Sequence, residues 1–249
     1  MLEFRNLETR SADEDLTGFS LDVRRGEIVG ITSLLGQGKG AFTRFFADEA
    51  LRFSGELRVL GKSVARHDPF FRRKVVFLSE DRKRDSLLAG RSVLENLTFP
   101  AYTMHDRFRR GGFLRLFDRK AAERSAQEAV ERYHIQCASI HQPVSELSGG
   151  NQQKVAVAKA AGLAPEVLVV CEPTRGIDVR AKRSILDWLR QLNRQDGIAI
   201  VVCSGEPEDL VGICDRIVVL RNGRVHRTLG PEADEAALLN ALESEETGV

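Results

Sequence analysis

Three stretches of this sequence carry residue types that could handle a phosphate group. In the first, Ser33-Leu34-Leu35-Gly36-Gln37-Gly38-Lys39-Gly40-Ala41, glycines surround one lysine. Glycines let backbone N–H groups converge on an anion, and a helix starting just beyond adds positive potential at its N-terminus. Lys39 could then reach the outer phosphates. Alone, a Gly-x-Gly-Lys string is weak evidence, and a plain surface turn is its first reading. The second stretch, Leu147-Ser148-Gly149-Gly150-Asn151-Gln152-Gln153-Lys154, is far more specific. Ser148 and two glycines at the start of a small-residue helix make a second anion-binding end, with a simple helix cap as the bland alternative. The third closes an apolar run: Cys171-Glu172-Pro173-Thr174-Arg175-Gly176-Ile177-Asp178. A carboxylate at the C-terminal end of a strand, beside a phosphate loop, is placed to orient water as a base.

The flanking sequence predicts the elements that hold these stretches. Residues 27–31 read as a buried strand leading into the first glycine loop, with a helix from near Ala41 beyond it. Strands are also expected over 2–7, 19–23, 75–78, 167–171, 198–203 and 216–220, and as a pair over 55–64 around Gly61. The stretch from about 82 to 145 is arginine-rich and mostly helical, and reads as an inserted helical subdomain. Its best helix starts at Asp118 as N-cap and runs to about Tyr133. Ile185, Leu189 and Leu192 share one face of a later helix. Asn222-Gly223 is a hairpin turn, and a last helix covers roughly 234–242, ahead of a tail without order at 243–249. Strands alternating with helices place the chain in the α/β class, with a parallel sheet covered on both faces.

Composition narrows the function classes. At 249 residues, 42% hydrophobic and 29% charged, the chain can build one large domain with a subdomain. A net charge of +1 and an isoelectric point of about 7.7 argue against a nucleic-acid-binding domain, for which values above roughly 9 are the signal. Basic residues do cluster, at Arg72, Arg73, Lys74, Arg82, Lys83 and Arg84 and again at Arg107, Arg109, Arg110, Arg115 and Arg119. A solvated face is the simple reading of both runs, a docking or phosphate-facing surface the sharper one. No apolar stretch approaches the 18 or so residues that span a bilayer, and the first residues lack a signal-peptide core, so a membrane role would act through a partner. Cys137, Cys171, Cys203 and Cys214 show no Cys-x-x-Cys spacing, which fits a reducing compartment. His67, His105, His134 and His141 have no ligand spacing and read as surface residues.

Taken in order, the three stretches resemble the phosphate loop, signature and Walker B segments of ATP-binding-cassette ATPases, and the resemblance covers essentially the whole chain. It implies a P-loop NTPase (RecA-like) core over about 1–81 and 163–249, an antiparallel β subdomain within it, and a helical signature subdomain over 82–162. A finer likeness lies in Ser79-Glu80-Asp81-Arg82-Lys83-Arg84-Asp85, Ser92-Val93-Leu94-Glu95-Asn96-Leu97 and the Asn-Gln-Gln-Lys ending of the signature. These resemble the second cassette of bacterial monosaccharide importers, where two cassettes are usually fused in one longer chain. The implied protein is therefore a C-terminal half, present as a fragment or a separate subunit. It would couple ATP binding and hydrolysis to sugar uptake at the cytoplasmic face of the inner membrane. Its partners would be a second cassette, a transmembrane permease and, indirectly, an extracytoplasmic solute-binding protein. Nucleoside importers share much of the pattern. A soluble cassette acting on nucleic acid or ribosomes is the reading from another class, opposed by the near-neutral charge.

Several positions depart from the family pattern. Gly40 stands where a Ser or Thr hydroxyl normally binds Mg²⁺, and Cys171 where an Asp normally holds the metal. Ser204 stands in place of the histidine that contacts the γ-phosphate, and Glu80 in place of a glutamine. The resemblance then implies a degenerate ATP site on this chain, built from residues 33–41, Glu80, Asp178 and the catalytic pair Glu172 and Ser204. Mg²⁺ would be held mainly at the partner's site. Ser148, Gly149, Gly150 and Asn151 would complete that partner site in trans. An active homodimer that tolerates Gly40 and Cys171 is the alternative. No adenine-stacking residue is assigned, since Phe4 lies within a strand and no aromatic follows before Phe19. Phe113, Leu114 and Phe117 are candidates for receiving a permease helix, or for a local apolar anchor.

Overall fold

The computed structural model describes residues 1–11, 13–81, 86–105, 107–110 and 116–244. In chain order they form β1 (Leu2–Arg10), β2 (Phe19–Val23), β3 (Ile28–Ser33), α1 (Lys39–Ala47), β4 (Arg52–Val59), β5 (Lys62–Ser63), α2 (Pro69–Lys74) and β6 (Val75–Leu78). There follow α3 (Val93–His105), β7 (Arg109–Arg110), β8 (Leu116–Phe117), α4 (Arg119–Arg132) and α5 (Gly149–Gly162). The chain continues with β9 (Val167–Cys171), α6 (Val179–Asp196), β10 (Ala199–Cys203), β11 (Arg216–Arg221), β12 (Arg224–Leu229) and α7 (Glu235–Glu243).

A six-stranded sheet in the order β12-β11-β3-β10-β9-β6 forms the centre, parallel except for β12, which folds back through the Asn222-Gly223 turn. Its inner strands are apolar at nearly every position because both faces are covered. Alternate residues go to opposite sides. Ile28, Leu168, Val170, Ile200 and Val202 join a core with α3, α4, α5, α6 and α7. Val29, Ile31, Val169, Cys171, Val201 and Cys203 face a core shared with α1 and the antiparallel sheet β2-β1-β4-β5. In that second core Phe4 is fully buried and meets Phe19, Phe42, Phe45 and Phe46 with ring centroids 5.7–6.2 Å apart. Such spacing adds edge-to-face attraction to the burial itself.

Caps fix several helix ends. Asp118 accepts from Ala121 N (3.0 Å) and starts α4 where the sequence reading placed it. Gly197, at φ +67°, ends α6 in the left-handed region. Other boundaries differ from expectation. The helix α1 begins at Lys39 rather than near Ala41, because Gly38 is already its N-cap. Strand β4 begins at Arg52, its early part hidden from alternation by Gly55 at φ +100°. Helix α7 runs through Glu243, inside the expected tail, while residues 245–249 lie outside the described ones.

Truncating the hub of the phenylalanine cluster, Phe4→Ala, should lower unfolding free energy by about 3–5 kcal/mol. Chemical denaturation followed by circular dichroism measures this.

Candidate functional site

The parallel register aligns three strands: Ile31 of β3 lies opposite Cys203, the last residue of β10, and Cys203 opposite Cys171, the last of β9, while β3 runs on to Ser33. The loops leaving β3, β10 and β9 therefore emerge side by side. After β3, residues 34–38 wrap the start of α1, with Gly36 at φ +76° and Gly38 at φ +125°. Lys39 N donates to Ser33 Oγ (3.2 Å) and Gln37 N to Leu34 O (3.1 Å), closing the loop on itself. The Asn222-Gly223 turn buttresses it from outside. Asn222 N donates to Gln37 Oε1 (2.9 Å), Gly223 N to Gln37 O (3.0 Å), and a Cβ on Gly38 would lie 2.9 Å from Gly223 Cα.

Glu172 follows β9 with a left-handed backbone, φ 46°, held because its N–H donates to Cys203 O (2.7 Å). A non-glycine residue there costs on the order of 1–3 kcal/mol, and such strain concentrates at working sites. Its carboxylate is ion-paired with the Lys39 ammonium, both side chains mostly shielded from solvent. Gly205 N also donates to Glu172 Oε1 (3.1 Å), and Gly205 has no side chain to obstruct Lys39. The structure thus joins the loop lysine to the carboxylate that the sequence reading singled out. Ser204 is fully buried, its hydroxyl 3.3 Å from Glu172 Oε2 and 2.9 Å from Asp209 Oδ2.

Sequence reasoning missed Asp209, which is completely buried, accepts from Thr174 Oγ1 (2.5 Å) and pairs with Lys182 (2.9 Å). Burial opposes the charge on Lys182, but hydrogen bonds to Glu206 and Asp209 carry its pKa well above normal. This network ties the loop after β9, the loop after β10 and α6 together. It also missed Glu14, which sits in the acidic run Asp13-Glu14-Asp15 with no motif around it. Glu14 Oε2 accepts from Gly38 N (2.6 Å), and a Cβ added at Gly40 would run into Glu14 Oε1.

The remaining predicted residues divide. Cys171 is buried beside Cys203, and burial first, then that neighbour, pushes its thiol pKa well up, so it stays neutral. Asp178 is exposed and serves as N-cap of α6, accepting from Arg180 N and Ala181 N (both 3.0 Å). Those backbone bonds, that from Ala181 foremost, lower its pKa. Glu80 pairs on the surface with Arg175 at 2.8 Å, worth about 0–1 kcal/mol. The second glycine stretch opens α5: Ser148 is exposed at its N-cap and accepts from Asn151 Nδ2 (3.0 Å), while Gly150 abuts Ala181 of α6. Leu35 and Val179 stand fully or largely exposed (102% and 82%) on the loop before α1 and at the start of α6.

Magnesium fits this chain's own loop poorly. Gly40 offers no hydroxyl, Cys171 a neutral buried thiol, and among the described residues no three His, Cys, Asp or Glu side chains cluster to hold a metal. Elsewhere, a cavity of about 790 Å³ opens between the sheet and α3, lined by Phe46, Phe53, Phe77, Phe99, Met104 and Lys159. Of the expected docking residues, Phe117 packs edge-on against Tyr102 at 5.2 Å. Phe113 and Leu114 lie outside the described residues, as do Arg82, Lys83, Arg84 and Arg115. Arg72 and Lys74 pair with Glu49 and Glu166, and Arg119 with Glu123.

A family model described as ABC transporter matches residues 16–175. The chain is 36% identical over 228 residues to the ribose import ATP-binding protein RbsA of Lactococcus lactis subsp. cremoris, covering 90% of this chain and 44% of that one. It is 38% identical over 243 residues to ribose import ATP-binding protein RbsA 1 of Mesorhizobium japonicum, covering 96% and 45%. The chain thus spans about half the length of the curated relatives it matches. In fold it is similar to the ATP-binding cassette MJ0796, solved as a dimer in a post-hydrolysis state bound to ADP and Pi. That match has a TM-score of 0.77, 23% identity, and coverage of 94% of this chain and 100% of that one. The mixed α/β architecture, with its antiparallel sheet and helical part, is that of these cassettes.

Removing the buried acid, Asp209→Ala, takes the acceptor from the Thr174 and Ser204 hydroxyls, while Lys182 keeps Glu206 and Glu208 as partners. It should cost about 1–3 kcal/mol of stability, read by urea denaturation, whereas Lys182→Ala combined with it should cost less than the sum.

Proposed function

The chain belongs to the ABC transporter family, and from that premise we propose that it is the ATP-binding subunit or domain of an importer for ribose or a related sugar. It works at the cytoplasmic face of the inner membrane, as the second of two cassettes, and powers a separate permease. Its own phosphate loop is a degenerate site, and its signature completes the competent site of the other cassette in trans. The observation that carries this reading is the exposed Ser148 N-cap of α5, a helix end with free surface for an anion held from outside. Exposed Leu35, on the loop before α1, and Val179, at the start of α6, supply apolar surface for a second cassette. The curated relatives are named as ribose import ATP-binding proteins, which supports the solute class.

Family members bind ATP with Mg²⁺. In this chain Lys39 would meet the phosphates once freed from Glu172, and Glu172 is the carboxylate available to orient water. Ser204, with its hydroxyl turned to Asp209 and Glu172, brings no cationic or ring N–H donor to a γ-phosphate. The missing hydroxyl at Gly40 and missing carboxylate at Cys171 remove the groups that phosphoryl transfer depends on for charge neutralisation. The groove beneath Phe99 and Phe77 is the surface we assign to a permease helix. Its lining is largely apolar, with Glu49, Arg66, Arg72 and Lys159 among the polar residues, and suits the apolar face of an amphipathic helix.

The isolated chain should hydrolyse ATP at least about 10²-fold more slowly than a cassette with both magnesium-holding groups. The triple change Glu14→Ala, Gly40→Ser and Cys171→Asp should raise that rate. Steady-state phosphate release measures both, and robust turnover by the unaltered chain would overturn the degenerate-site reading. Cells deleted for the gene should lose uptake of radiolabelled ribose, regained with the wild-type chain but not with Ser148→Arg. Unimpaired uptake after deletion would remove the importer assignment.

A further inference from the structure

Glu14 occupies the phosphate loop in a way that no motif foretells. Its neighbours hold it there from both sides. Asp13 pairs with Arg44 of α1 at 3.1 Å. Asp15 Oδ1 accepts from Ser11 N (2.7 Å) and Thr9 Oγ1 (3.2 Å), and the Asp15 carbonyl lies against Gly223 of the turn that buttresses the loop. Between these anchors the Glu14 side chain reaches the start of α1. One carboxylate oxygen takes the Gly38 N–H at 2.6 Å, and the other fills the space a side chain at position 40 would need. The absent hydroxyl and the inserted acid are therefore one feature: Gly40 is what makes room for Glu14.

Resting on the reading of this loop as a nucleotide site, we infer that Glu14 is a resident anion which competes with nucleotide phosphate and sets the loop's affinity. A phosphate entering the loop needs the Gly38 N–H that Glu14 holds, and two anions cannot share that donor without strong repulsion. Lys39, the loop's cation, is likewise partnered from within the chain, by Glu172. Nucleotide binding here displaces the Glu14 carboxylate first, and the apparent affinity falls by the strength of that contact. A charge-assisted hydrogen bond at a helix N-terminus corresponds to on the order of 10- to 100-fold in a binding constant.

The test is a fluorescence titration of the full chain with MANT-ADP, alongside amide hydrogen exchange without ligand. Glu14→Ala should bind about 10- to 100-fold more tightly than wild type, Glu14→Gln should fall between them, and exchange at the Gly38 amide should quicken in both. Gly40→Ala should push the carboxylate out and tighten binding in the wild-type background. It should add nothing on top of Glu14→Ala, since both act on one contact. If wild type binds MANT-ADP and Glu14→Ala, with an unchanged melting temperature, binds equally or less tightly, the inference is overturned and the nucleotide reading stands. If neither wild type nor any variant binds, both fall.

Discussion

Everything at this site follows from the register of three parallel strands whose C-terminal ends lie side by side. Because Ile31, Cys203 and Cys171 are register partners, the loops after β3, β10 and β9 have no choice but to leave the sheet together. A one-residue slip would turn Cys171 and Cys203 toward the opposite core and carry Glu172 away from Lys39. Register is strongly specified here, since both faces of these strands are packed with apolar side chains. The chemistry is thus placed by hydrophobic burial that never touches a ligand.

Much of this was legible from sequence where one local signal sufficed. The apolar runs at Val75–Leu78 and Val167–Cys171 end where expected, and Asp118 caps α4 as its position before a helical run implied. Continuous apolar runs, unlike alternating ones, announce a sheet covered on both faces. Gly36, Gly38, Lys39 and Glu172, singled out one motif at a time, do meet around one ion pair. What stayed illegible depends on contacts distant along the chain. Glu14 reaches Gly38, 24 residues on, and Asp209 reaches back 35 residues to Thr174. An acidic run in a loop and an acid in a short 3₁₀ turn look like ordinary surface until the fold buries or aims them. Glu80 shows the reverse. Its motif position suggested a role near phosphates, and the fold gives it Arg175 on the open surface.

The charge balance of the pocket is unusual for a surface meant to hold phosphates. Its lysine is neutralised from within, and one of its backbone donors, the Gly38 N–H, faces a carboxylate. The signature end of α5, by contrast, keeps its serine toward solvent. The phosphate-loop donor is thus satisfied within the chain, while the N-cap of α5 stands exposed.

The filling of the space at Gly40 by Glu14 also bears on how this loop responds to change. The three nearest atoms to a side chain added at position 40 all belong to Glu14, the flexible tip of that acid foremost. What a larger residue does there is decided by position 14, so the two sites behave as a pair whose effects do not add.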